Sequence, residues 1–134
     1  MKISGAVAIV SALLLGAAIG SSGSGATAAP AAPVGDPVKG KLVFMRCTMC
    51  HSVKPGVNQI GPSLAGVVGR KAGSAPGFAY STAMKGSGRV WTPAALDQYL
   101  AAPAKAVPGN KMIFGGLPKP EDRADVVAYL RNPK

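Results

Sequence analysis

Apolar residues follow three different patterns along this chain. Residues 3–20 are almost unbrokenly apolar, with Leu13-Leu14-Leu15 at their centre. Val38, Leu42 and Met45 recur at i, i+4 and i+7, which predicts one core-facing stripe of a helix. Two further helical faces follow: Ala94, Ala95, Leu96, Tyr99 and Leu100, then Val126, Val127, Tyr129 and Leu130. Residues 52–90 have neither period. They are punctuated by Pro55, Gly56, Gly61, Pro62, Gly66, Gly69, Gly73, Pro76, Gly77, Gly86 and Gly88, and strand-like alternation is missing.

Capping chemistry sharpens the boundaries. Asp36-Pro37 and Thr92-Pro93 each place a side-chain acceptor ahead of a proline suited to the first helical position. The helix after Thr92 stops at Pro103. The last helix runs from about residue 120 to 131, with Glu121 and Asp122 in its first turn and Arg131 at its end, as the helix dipole favours. Short helices are expected at residues 63–68 and 82–85. Gly40, mid-helix, costs about 1 kcal/mol against Ala, so another backbone is expected to come close there. Phe44 lies on nearly the same side, and the last helix is expected to cross over both. The fold class is all-α, with a loop-rich middle.

The N-terminal pattern is not that of a folded domain. One lysine, an apolar run, the polar break Ser21-Ser22-Gly23-Ser24-Gly25 and the small-x-small Ala26-Thr27-Ala28 make up a secretory signal peptide. The alternative is a retained anchor, because eighteen weakly apolar residues nearly span a bilayer. We divide the chain into a signal at residues 1–28, a Pro/Ala-rich tether at 29–35 and one domain at 36–134. Charge and size then narrow the class. The net charge is +10, and removing residues 1–28 lowers it by one lysine only. A single domain of this length buries a modest share of its surface. With three Phe, three Tyr and one Trp, it is expected to need a bound apolar group, and the apoprotein is expected to be largely disordered. A basic surplus suits an acidic protein partner or nucleic acid, but an exported chain seldom meets nucleic acid.

The chemistry lies in Cys47-Thr48-Met49-Cys50-His51. C-x-x-C-H is the signature of c-type haem attachment. The two sulfurs would form thioethers to haem, and His51 would present a ring nitrogen to the iron. A zinc site needs four ligands, and the chain has two Cys and one His. A thioredoxin-like pair goes with a βαβ pattern, which is missing. A structural disulfide leaves His51 unexplained. Haem also accounts for the long loop, whose polypeptide would pack on porphyrin, with Leu64, Val67 and Phe78 lining it and Tyr80 and Trp91 aiming polar edges at propionates. With no second His, a Met thioether is the expected other ligand. Met1 leaves with the signal, Met49 lies between the attachment cysteines, Met45 is read as core and Met84 lies in a helical turn. Met112, between Pro108-Gly109 and Gly115-Gly116, is the one free to cross the haem.

From residue 35 to 132 the chain resembles the small soluble class I cytochromes c of mitochondria and bacteria. The resemblance rests on Gly40 and Phe44 ahead of the Cys47 motif, Gly61-Pro62-Ser63-Leu64, Gly69-Arg70-Lys71, Ala75-Pro76-Gly77-Phe78-x-Tyr80, Trp91, Pro108-Gly109-x-Lys111-Met112-Ile113-Phe114 and Arg123-Ala124-Asp125-x-x-Ala128-Tyr129-Leu130. It implies one haem c held through Cys47 and Cys50, with His51 and Met112 as axial ligands. It implies that Pro62 orients His51 through its carbonyl, and that Arg70, Tyr80, Ser81 and Trp91 surround the propionates. Met84 stands where the family often has Asn, and Asn110, near Met112 and a propionate, where it often has Thr. First and last helices should cross, leaving the haem edge exposed.

The function expected is one-electron transfer through that edge, without catalysis. Lys54, Lys71, Lys105, Lys111 and Lys119 are candidates for a basic ring. The expected partners are redox proteins with acidic patches: a quinol–cytochrome c oxidoreductase, and a terminal oxidase or a reaction centre. The carrier is expected to be a periplasmic monomer that meets the membrane only if its N-terminal segment is retained. Two other classes are a peroxidase-like haem enzyme acting when Met112 detaches, and a thiol–disulfide oxidoreductase.

Overall fold

The computed structural model describes residues 33–134. The segment read as an export signal lies outside them, as does most of the tether. Five helices follow one another: α1 Pro37–Phe44, α2 Thr82–Gly86, α3 Pro93–Ala101, α4 Pro103–Ala106 and α5 Pro120–Arg131. Among the described residues there is no strand, only an isolated antiparallel bridge between Lys71 and Val90. The caps read from sequence are made: Asp36 accepts from the N–H groups of Val38 and Lys39, and Thr92 from Ala95. Ser81, not read as a cap, accepts likewise from Met84.

The core begins where α1 crosses α5. Gly40 is buried there, and a Cβ on it would run into the Asp125 carbonyl and the Tyr129 side chain. Gly35 lies likewise against the Ala124 carbonyl. These two hydrogens in place of side chains let the chain lie directly on the α5 backbone. One turn on, the Phe44 and Tyr129 rings meet at 5.3 Å with a 48° tilt, a contact worth about 1 kcal/mol beyond its burial. A polar tie closes the end of the crossing: the Asp36 N–H donates to the Asp125 carboxylate at 2.7 Å. From this crossing the core extends through Val126, Val127 and Leu130 to Leu96, Tyr99 and Leu117.

Two sequence expectations change and a third is extended. The stripe of Val38, Leu42 and Met45 faces outward, at 74%, 66% and 65% exposure, so Met45 is not core. Periodicity locates a stripe but does not say which side is buried. Here the side without a Cβ at Gly40 wins, because only there can α5 approach. Residues 63–68 form turns rather than a helix, and Gly66, at φ +62°, reverses the chain where a helix would need negative φ. Pro103 ends α3 and also opens α4, sitting at its first position.

Candidate functional site

Beyond Phe44 the chain continues in tight turns. The Cys47 N–H donates to the Phe44 carbonyl at 2.7 Å, and the Cys50 and His51 N–H groups both donate to the Cys47 carbonyl. The same helix that α5 clamps therefore positions both thiols and the imidazole. Residues 51–64 then close back on this turn. The Gly61 N–H donates to the Cys50 carbonyl at 2.7 Å and the Leu64 N–H to the Ser52 carbonyl at 2.8 Å. Buried Ser63 donates its hydroxyl to the Lys54 carbonyl. Gly61 is buried against the His51 ring, where any Cβ would collide with it.

His51 Nδ1 lies 2.8 Å from the Pro62 carbonyl oxygen. A carbonyl only accepts, so Nδ1 carries the proton and Nε2 keeps a bare lone pair. Burial lowers the His51 pKa, against the opposing pull of the Pro62 carbonyl, so the ring is neutral at pH 7. Burial is also the main influence on Cys47. It raises that thiol, Cys50 adds to the rise and Arg46 opposes it. A raised thiol is the reverse of what a reactive redox cysteine needs, which weighs against the thiol–disulfide reading.

All these groups face one cleft of about 460 Å³, walled mainly by apolar side chains such as Leu64, Val67, Phe78, Met84 and Leu96. Each of Cys47, Cys50, His51, Pro62, Arg70, Tyr80, Ser81, Trp91, Asn110 and Met112 lines it. Arg70 and Trp91 are brought together by a short ladder: the Trp91 N–H donates to the Arg70 carbonyl and the Gly69 N–H to the Trp91 carbonyl. The Arg70 guanidinium donates to the carbonyls of Ala65 and Ser63, each at 2.9 Å, while its Nε is buried without a partner. Trp91 packs on Tyr99 at 4.8 Å. Tyr80 stacks edge-on against Phe78 at 4.8 Å and keeps its hydroxyl hydrogen to donate, because that oxygen accepts from the Ala75 N–H. Ser81 is occupied as the cap of α2.

Met112 lies in the extended stretch between α4 and α5. The Tyr99 hydroxyl donates to its sulfur at 3.9 Å, and burial pushes the Tyr99 pKa up to about 12, so the phenol stays protonated. Sequence reasoning placed Tyr99 on a helical face but gave it no role. Its spacing from Leu96 put it on the buried side of α3, and its hydroxyl needed a partner there. Of the five lysines proposed as a ring, all are exposed, and Lys111 borders the cleft. Arg46, which the sequence did not single out, also borders it, as do the exposed Ile60 and Ile113.

These residues fit a haem. The cleft is apolar, two thiols and a neutral imidazole line it, and the buried Arg70 Nε, without a partner, would suit an anionic group such as a propionate. Among the described residues no helix is long and apolar enough to cross a membrane.

Comparisons with known proteins agree. The sequence profile of cytochrome c matches residues 37–134. The chain is 57% identical over 106 residues to cytochrome c2 of Rhodomicrobium vannielii, covering 76% of this chain and 82% of that one. It is 54% identical over 97 residues to cytochrome c2 of Rhodoblastus acidophilus, covering 72% and 91%. Among solved structures, cytochrome cH from Methylobacterium extorquens superposes with a TM-score of 0.69 at 47% identity, over 72% of this chain and 98% of that one. Likeness of this extent, in sequence and fold together, leads to one conclusion: the chain belongs to the cytochrome c family, whose members carry a covalently attached haem c.

Proposed function

We propose that this protein is a one-electron carrier, not an enzyme, with its haem bound through Cys47 and Cys50 and ligated by His51 and Met112. Bound in the cleft, the haem supplies an iron that changes by one electron between ferric and ferrous. The observation that carries the reading is that one apolar cleft is lined by a neutral imidazole with its lone pair free and by a thioether. With both occupied as ligands, no site is left for a substrate at the metal. No carboxylate is among the residues lining the cleft, and its one imidazole is the proposed ligand, so the side chains most often used as general bases are either missing from the lining or spent on the metal.

The residues set the direction of the equilibrium. A thioether is a soft donor and favours the ferrous state, raising the potential. The Pro62 carbonyl holds the His51 ring in one tautomer and orientation. Tyr99 stays a hydrogen-bond donor toward the sulfur. Among the residues lining the cleft, the exposed Arg46 and Lys111 offer cations and the exposed Ile60 and Ile113 an apolar contact. That pairing suits transient docking to the acidic patch of a quinol-oxidising complex and of an oxidase or reaction centre. Attraction acts over a Debye length of about 8 Å at physiological salt, so docking should weaken as salt rises. Export to the periplasm, with cleavage before Ala29, completes the reading.

A reduced-minus-oxidised spectrum of the exported protein tests it. The expected result is a low-spin haem whose ferric form shows the thioether-to-iron band, and loss of that band in Met112→Ala. Ready carbon monoxide binding by the reduced wild type at neutral pH would instead favour the enzyme reading.

A further inference from the structure

The stretch that carries Met112 is sparsely tied. Beyond Met112, the next bond between main-chain groups outside the helices is from the Leu117 N–H to the Leu100 carbonyl at 2.7 Å. Ile113 is fully exposed, and a Cβ on Gly115 would meet nothing. On the near side, one side chain makes three bonds. Asn110 Oδ1 accepts from the Met112 N–H at 2.8 Å. Its Nδ2 donates to the Pro103 carbonyl at 3.0 Å and to the Val107 carbonyl at 2.8 Å. The Asn110 N–H also donates to the Val107 carbonyl. Both amide hydrogens and one oxygen lone pair are thus spent within this stretch, which leaves a propionate no donor from Asn110.

We propose that Asn110 is the positioning residue for the Met112 thioether, tying the ligand stretch to both ends of α4 and setting how often the sulfur leaves the iron. The proposal rests on the reading of Met112 as an axial ligand. Asn suits the task because its amide combines an acceptor for the N–H two residues on with two donors that reach separate carbonyls. A serine hydroxyl at this position keeps the acceptor but has one hydrogen and a shorter reach. Alanine keeps neither.

The test compares ferric holoproteins: wild type, Asn110→Ala, Asn110→Ser and, as a control on the same stretch but outside the cleft lining, Gly115→Ala. Imidazole is added and loss of the thioether-to-iron band is followed. An exogenous ligand binds only when the sulfur is off, so its apparent affinity reports the population of that state. Expected is an imidazole Kd lower by about tenfold in Asn110→Ala and by about threefold in Asn110→Ser, given three or two lost bonds, with Gly115→Ala within about twofold of wild type. A merely structural role would lower the denaturation midpoint and leave the imidazole Kd of the folded protein within about twofold of wild type; that result overturns the proposal. If Asn110→Ala does not retain haem, Asn110→Ser decides, and a Kd equal to wild type overturns it. A wild type with no thioether band overturns the ligand reading itself, and this proposal with it.

Discussion

The α1–α5 crossing and the stretch from residue 51 to 92 are built on opposite terms. At the crossing, chain packs on chain: Gly40 lies on the Asp125 carbonyl and Phe44 tilts against Tyr129. In residues 51–92 there is one short helix, and beside scattered main-chain bonds several main-chain oxygens are reached by side chains: Ser63 to Lys54, Asn58 to Pro76 and Arg70 to Ala65. Many apolar side chains of that stretch, among them Leu64, Val67, Phe78 and Met84, line the cleft. One region is specified by its own sequence. The other is specified by what it surrounds.

Removing the attachment points is the strongest way to break this contrast. In a Cys47→Ser, Cys50→Ser double variant, no haem should survive denaturing electrophoresis, and amide hydrogen exchange should lose protection across residues 51–92 far more than across α1 and α5. Equal loss in both regions would abolish the distinction. The next test attacks the crossing. Gly40→Val sets a branched side chain against the Asp125 carbonyl and should cost about 3 kcal/mol in chemical denaturation, despite the better helix propensity of valine over glycine.

Arg70→Ala probes the other region. It leaves the carbonyls of Ser63 and Ala65 without their donors and should cost about 2 kcal/mol. Ser63 adjoins Pro62, so the His51 ring resonances should shift as well; Arg70→Lys, lacking the fork, should recover less than half. Smaller still is Asp125→Ala, which removes the acceptor for the Asp36 N–H and should cost about 1.5 kcal/mol, with Asp125→Asn nearer to wild type. Least of all, Leu42→Gln should change stability by less than about 0.5 kcal/mol, because that side of α1 faces solvent. A cost above about 2 kcal/mol would mean that the stripe is core after all.

What was legible in the sequence followed the same divide. The starts of α1 and α3 were plain because Asp36-Pro37 and Thr92-Pro93 act within a few residues of themselves. α5 and its partner face were readable from Glu121, Asp122 and Arg131, and from Gly40, whose helix cost demanded a neighbour. The attachment motif was readable because its chemistry is local. The buried side of α1 was misread, since a stripe of three apolar residues looks the same whether it faces protein or water. The turn at residues 63–68 was misread because the positive φ of Gly66 is not encoded by its neighbours' propensities. The partner of Tyr99, the spare Nε of Arg70 and the three bonds of Asn110 join residues distant in sequence or depend on loop geometry, and periodicity carries no trace of either.

The ring of His51 leans on a main-chain oxygen. Every residue except its position in the chain could be exchanged and that oxygen would still be present, so no single codon change deletes it. Drift at the surface is then free to retune charge and partner preference, while the proximal geometry is inherited with the path of the backbone.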